Sequence, residues 1–313
     1  MTGPLIVGLG EAMVLFQPAD GLALAACETA SVHVAGAELN LLAAAARAGV
    51  RAAFCSRVGA DPFGERVLSA AAGLGVETGL VVVDPGRPTG LFAKDTRADG
   101  ARRVHYYRAG SAASAMDSAD ADRALAADPV LVAVSGLTAA LGDGPRLAVE
   151  RLARLAAARG VHLAMDPNLR PGLPPIVDVL RGLLPLTRFL LLGIDEAGPL
   201  LGAEEPQEVF RLASAAGVGE VVLKAGADGC WHHGDDGRPE HLPAAATRVV
   251  DPVGAGDAFA GAYLAARLQR IGPRGAAWLG SQFAAGVIAA PGDTEGLPSP
   301  AAATELLAAA PVL

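Results

Sequence analysis

The sequence predicts a three-layer α/β/α fold, with a mostly parallel sheet at its centre and a small β-sheet lid. Short apolar runs alternate with amphipathic stretches along most of the 313 residues, the pattern of parallel strands buried on both faces by helices. Two segments, at about 12–34 and 88–109, break this rhythm with turn sequences flanked by short extended runs. No linker, repeat or low-complexity tract divides the chain, so residues 1–313 read as one domain with two hairpins inserted.

The elements follow in order. LIVGLG (5–10) reads as a buried strand, and AELNLLAAAARAG (37–49) as a helix ended by Gly49. RAAFCSRV (51–58) is a strand. DPFGERVLSAAAGLG (61–75) is a helix with Asp61 as N-cap and Pro62 at its first position. The alternation continues through PVLVAVSG (129–136), GPRLAVERLARLAAARG (144–160), VHLAMD (161–166), RFLLLGI (188–194), EVFRLASAAG (208–217) and EVVLKAG (220–226), and TRVV (247–250) reads as a further strand. PADG (18–21) and RADG (97–100) mark the turns of the two inserted hairpins.

Composition narrows the function classes. Hydrophobic residues make up 52% of the chain, but no uninterrupted apolar run approaches the ~18 residues of a membrane helix. The start has no basic region, and Glu11 interrupts its apolar segment, so no signal peptide is expected. Cys27, Cys55 and Cys230 are scattered and odd in number, which fits free thiols in a reducing cytoplasm. A net charge of -8 without a basic block makes nucleic acid and anionic membranes poor partners, so neither is expected. Only Lys94 and Lys224 are lysines, whereas arginine is plentiful.

In open parallel sheets ligands bind beyond the carboxyl ends of the strands. Three predicted strand ends carry charged or glycine-rich loops: DPNLRP (166–171), Lys224 with AGADG, and DPVGAGD (251–257). The amides of Gly254, Ala255 and Gly256, leading into a helix, form a concave donor cluster suited to a phosphate. Asp257 follows in the first turn. An acid there is ordinarily a helix cap; beside an anion nest it also suits a general base that takes a proton from an attacking hydroxyl. GLGEAM (8–13) lacks the third glycine of a dinucleotide fingerprint, Met13 standing in its place, and no GxxxxGK[ST] occurs.

DPVGAGDAFAGAYL resembles the carboxyl-proximal signature of the ribokinase-like (PfkB) carbohydrate kinases. AGAELNLLAAAARAG (35–49) and SRVGADPFGERVLSAAAGLGVET (56–78) resemble their amino-proximal signature and the segment after it. The resemblance spans nearly the whole chain in the correct order. It implies a ribokinase-like α/β core with a β-sheet lid, ATP with Mg2+, and phosphoryl transfer to a primary alcohol, and it admits a monovalent cation. By resemblance Asp257 is the catalytic base, Gly254, Ala255 and Gly256 are the anion hole, and Lys224, Gly226 and Gly229 lie beside the nucleotide. Glu196 matches the acid of the N-x-x-E motif, acting on the metal through water or phosphate, although that motif's asparagine is Gly193 here.

Within the family GEAMVLFQP, AGAELN, VHYYRAGSAAS and DPNLRP resemble the 2-keto-3-deoxygluconate kinase branch. That likeness implies Tyr106 and Arg108 on the sugar acid, Gly36 and Asn40 on its hydroxyl side, and Asp293 closing the pocket. Arg170 lies near phosphate and substrate, Asn168 on the nucleotide side, and Phe92 stands where the branch often has tyrosine. A guanidinium pairing with a planar carboxylate supports an acid substrate on physical grounds. The rivals are a kinase for another sugar (fructokinase, ribokinase or 5-dehydro-2-deoxygluconokinase) and a non-catalytic sugar-binding protein on the same scaffold. The exposed lid predicts a homodimer or dimer-based oligomer. Tyr107 reads as a strand residue, with Tyr106 and Tyr107 facing opposite sides, one buried and one exposed. Lys224 has a plainer reading as partner of a surface acid, WHHGDDGR (231–238) reads as a solvated hairpin turn and not a metal site, and Cys55 as inert core.

Overall fold

The structure, a computed structural model, describes residues 3–18, 22–96, 102–170, 172–234, 237–246 and 248–311. Of the turns predicted for the two inserted hairpins, 18–21 and 97–100, only Pro18 falls within them, and Pro171, Asp235, Asp236 and Thr247 also lie outside.

Thirteen strands are assigned among the described residues: β1 (Leu5–Leu9), β2 (Met13–Pro18), β3 (Ala30–Ala35), β4 (Arg51–Gly59), β5 (Val81–Asp84), β6 (Leu91–Thr96), β7 (Arg102–Tyr107), β8 (Leu131–Ser135), β9 (His162–Asp166), β10 (Phe189–Gly193), β11 (Glu220–Lys224), β12 (Cys230–His233) and β13 (Pro239–Leu242). The helices are α1 (Ala37–Arg47), α2 (Pro62–Gly73), α3 (Ser118–Ala126), α4 (Gly136–Ala139), α5 (Asp143–Ala158), α6 (Val177–Leu183), α7 (Ile194–Leu201), α8 (Pro206–Ala215), α9 (Ala255–Leu268), α10 (Pro273–Ile288) and α11 (Pro300–Ala309).

Nine strands form one sheet in the order β13-β12-β11-β10-β9-β8-β1-β4-β5. It is parallel from β5 to β11 and antiparallel through β12 and β13. Period-two alternation sends side chains to two separate cores. Ile6, Ala52 and Phe54 join the core under α1, α2, α9 and α10, while Leu5, Val7, Leu9, Ala53 and Cys55 join the core under α3, α5, α6 and α8. The chain therefore adopts the predicted three-layer α/β/α class. Helix α2 begins as expected: the Asp61 side chain accepts the Gly64 amide at 2.8 Å, with Pro62 first in the helix.

The two inserted hairpins meet in a second, four-stranded sheet ordered β3-β2-β6-β7. Each hairpin is antiparallel, and β2 and β6 join them in parallel. Phe16 of β2 packs edge-on against Phe63 of α2, with ring centroids 6.0 Å apart, fixing this sheet against the core.

Some expectations need correction. Residues 248–250 form no strand, because the amides of Val250 and Asp251 both donate to the Ile288 carbonyl at the end of α10, at 2.7 and 3.2 Å. Tyr106 and Tyr107 are both exposed, at 50% and 63%; the edge strand β7 leaves its outer face open, and the Tyr106 ring covers Phe92 without being buried itself. The β12–β13 hairpin exists, but His232 is buried, so that segment is only partly solvated. Met13 begins β2, so no helix follows β1 as a dinucleotide site requires. Cys55 is fully buried, and burial pushes its thiol up to about 11.

Candidate active site

A cavity of about 450 Å³ lies between the carboxyl ends of β9, β10 and β11, the N-terminus of α9 and the inner face of the small sheet. It brings together Gly36, Asn40, Phe92, Tyr106, Arg108, Asn168, Arg170, Glu196, Lys224, Gly254, Gly256, Asp257 and Asp293, residues far apart in the chain. Ala255 is the first residue of α9. Gly226 and Gly229 occupy the turn between β11 and β12, outside the lining of this cavity.

Helix α9 starts with bare backbone. No side chain caps its N-terminus, so the first-turn amides keep their donors and the positive end of the helix dipole is open. Gly254 takes φ +80°, and a Cβ there would meet the Asp293 carbonyl oxygen at 2.5 Å. Both constraints call for glycine. The plain reading of Asp257 as a cap does not hold; its carboxylate takes the Asn40 side-chain amide at 2.9 Å.

Burial raises Asp257 from an ordinary 3.8 to about 7, with the charge of Asp166 adding to the shift and Asn40 and Lys224 opposing it. Near neutrality such a carboxylate is half-ionised and basic enough to accept a hydroxyl proton. Asn40 is delivered from α1, whose start runs close to the β1–β2 connection. A Cβ on Gly36 would meet the Glu11 carbonyl oxygen at 2.4 Å. The Oδ1 atom of Asn40 is buried and has no hydrogen-bond partner among the described residues, an acceptor left open toward a donor such as a sugar hydroxyl.

Lys224, at the end of β11, donates to Asp166 at 2.5 Å. That acid is buried and not on the surface, and the pairing outweighs the downward push of burial to hold the ammonium above its usual range. Asn168 is buried with φ +43°, a left-handed conformation asparagine accepts better than most residues; it aims the loop carrying the exposed Arg170 at the rim. Both oxygens of Glu196 are occupied, accepting the amides of Leu169 at 2.7 Å and Gly193 at 2.8 Å. Burial, and then Asp166, push its carboxyl up. Among the described residues no group of three or more His, Cys, Asp or Glu side chains is placed to hold a metal ion.

On the small-sheet side Phe92 is buried, with its ring centroid 5.6 Å from that of Tyr106. The Arg108 guanidinium stands 5.4 Å over the Tyr106 ring and pairs with Glu11, whose other oxygen accepts the Ser111 hydroxyl at 2.7 Å. Glu11 was not singled out as a site residue, because Arg108 lies 97 positions further on and no local pattern links the two. Asp195 also lines the cavity, and Asp251 pairs there with Lys94. Neither acid stood out, although the scarcity of lysine had marked Lys94.

A cavity at the carboxyl ends of a parallel sheet, covered by a second sheet and carrying open helix amides beside a basic carboxylate, has the layout of an α/β group-transfer enzyme acting on an anion and a hydroxyl. The profile of the pfkB family carbohydrate kinases matches residues 4–300, and the chain belongs to that family. It is 36% identical to a 2-dehydro-3-deoxygluconokinase of Thermoproteus tenax, over 97% of this chain and 94% of that one. With a 2-dehydro-3-deoxygluconokinase of Bacillus subtilis (strain 168) it shares 30% identity, over 94% and 92% of the two chains. Its fold superposes with a TM-score of 0.86 on a putative ribokinase II of E. coli solved with ATP and Mg2+, covering 98% of this chain and 99% of that one at 21% identity. No helix among the described residues is long and apolar enough to cross a membrane.

Proposed function

We propose that the chain phosphorylates the primary hydroxyl of a sugar acid with ATP, converting 2-keto-3-deoxygluconate to 2-keto-3-deoxy-6-phosphogluconate. The observation that carries this reading is Asp257, held by the Asn40 side-chain amide at 2.9 Å in the first turn of an uncapped helix. The sugar oxygen forms its bond to the terminal phosphorus as the bond to the ADP oxygen breaks, and its proton passes to Asp257. The amides at Gly254, Ala255 and Gly256 stabilise charge on the phosphoryl oxygens. Asn40 orients Asp257 and, with Gly36, receives the sugar hydroxyls. Arg108 and Tyr106 meet the acid carboxylate, Phe92 packs under Tyr106, and Asp293 closes the far side.

Asn168, Arg170, Lys224, Gly226 and Gly229 serve the nucleotide, Arg170 also lying near the transferred group. Mg2+ bound with ATP would supply charge neutralisation on the phosphates, and Glu196, whose two oxygens each already accept an amide, would hold it through water or phosphate. The small sheet, 12–34 with 88–109, acts as a lid that excludes water, and its open β7 edge joins a second copy in a cytoplasmic homodimer. The resemblance also admits a monovalent cation.

An ATP-coupled assay over aldonic, ketodeoxy and neutral sugars tests the reading. The acid is expected to be the preferred substrate; equal or better turnover of fructose would contradict that choice. A purified chain that binds sugar but turns over none would favour the binding-protein alternative.

A further inference from the structure

Lys94 is carried by β6 of the small sheet, yet its ammonium is engaged with the core. It donates to Asp251 Oδ2 at 2.9 Å and to Asp293 Oδ1 at 3.3 Å. Both acids are buried, at 3% and 4% exposure. Both contact the turn that leads into α9. Asp251 accepts the Val253 amide at 3.2 Å, shaping the turn into Gly254, and the Asp293 backbone packs against Gly254 itself. The other Asp293 oxygen lies 3.5 Å from the Asn40 amide that also holds Asp257. One charge on the small sheet is thus linked through one carboxylate and one amide to the proposed base.

Two buried carboxylates side by side repel each other and pay desolvation unless a cation stands between them. Arginine fills the basic positions over most of this chain, whereas lysine occurs only at positions 94 and 224. A compact ammonium fits between two single oxygens where a planar guanidinium fork would not.

We propose that Lys94 is a tethered monovalent cation: a positioning residue that neutralises Asp251 and Asp293 and sets the α9 amides and the Asn40–Asp257 pair only when the small sheet is seated. The acid pair nearest the amide cradle already holds its positive charge, so a free monovalent cation does not fit there and the native chain needs none at that place. The proposal rests on the phosphoryl-transfer reading above.

The test uses the full chain and two variants, Lys94→Ala and Lys94→Gln, with ionic strength held constant by tetramethylammonium chloride. Turnover and thermal midpoint are measured with and without potassium, ammonium or ethylammonium at about 100 mM. The native chain is expected to be indifferent to all three. Lys94→Ala should lose about 100-fold in kcat, the scale of removing one partner of a buried ion pair. It should keep its ATP affinity, and a small cation should restore at least about tenfold with saturation. Potassium or ammonium should also raise the midpoint of the variants by about 2 °C and leave the native midpoint unchanged, a readout independent of turnover.

Folded variants with native kcat would overturn the proposal, as would variants that no cation rescues or stabilises, or a native chain activated many-fold by potassium. If the native chain phosphorylated none of the sugars, the kinase reading itself would fall together with this one.

Discussion

The two ends of α9 meet acids that behave in opposite ways, Glu220 buried and Asp257 half-buried. Near its C-terminal end Tyr263 and Arg267 enclose Glu220 of β11, which accepts the tyrosine hydroxyl at 2.5 Å and two guanidinium nitrogens at 2.8 and 2.9 Å. Arg188 adds its charge at 3.6 Å. At the N-terminal end Asp257 has the Asn40 amide at 2.9 Å as its hydrogen-bond donor among the described residues, with Asp166 and Asp293 as neighbouring like charges. Donors saturate the first acid and lock the helix onto the sheet. The second is left short of donors and keeps its basicity. On a single helix, saturation separates a structural carboxylate from one available for proton transfer.

The largest expected effect breaks the N-terminal end. Asp257→Asn should lower kcat about 10,000-fold, the upper range for a general base, with ATP affinity by calorimetry nearly unchanged. Surviving turnover would remove Asp257 from the mechanism. The mirror experiment breaks the other end. Glu220→Gln should cost about 3 kcal/mol of stability in a denaturant melt, because it strands Arg267 in a half-buried site. Turnover per folded molecule should stay within about twofold. A stable but inactive Glu220→Gln would erase the distinction between the two ends.

Smaller changes sharpen the same comparison on the small sheet. Arg108→Ala should raise KM for 2-keto-3-deoxygluconate about 30-fold, and for fructose within about threefold, since only the acid offers a carboxylate to the guanidinium. Equal losses for both would make Arg108 the partner of Glu11 and nothing more. Asp61→Ala removes both the α2 cap and an acceptor of the Thr89 amide at 2.8 Å. The expected loss is about 1–2 kcal/mol, read as a lower thermal midpoint with kcat unaffected.

What the sequence disclosed followed from short-range rules. Asp61 with Pro62 announced a helix start, and the DPVGAGD run announced bare amides ahead of α9. Two turn sequences announced hairpins, which the structure merges into one sheet. Pairings over long separations were not legible. The ion pair of Lys94 with Asp293 spans 199 positions, and the Arg108–Glu11 pair spans 97. Neither leaves a local pattern. The predicted strand, absent over the described residues 248–250, shows the converse limit: its β-branched residues look extended, but the amides of Val250 and Asp251 are taken by Ile288 of α10 and not by a neighbouring strand. β5, with four residues, was too short to stand out from its surroundings.

The pH dependence of the chain follows from Asp257. Its folded-state value of about 7 stands above the ordinary 3.8, so the folded protein binds an extra proton between those limits. The stability this group contributes is fully present below about pH 4 and is lost as pH rises through about 7. Activity runs the other way, because the base must be ionised to accept the sugar proton. The most direct test is kcat/KM for 2-keto-3-deoxygluconate at saturating ATP, measured from pH 5 to pH 9. The account predicts a rise of about tenfold per pH unit below neutrality and a plateau above about 7. A profile flat from pH 5 to pH 8 would contradict it.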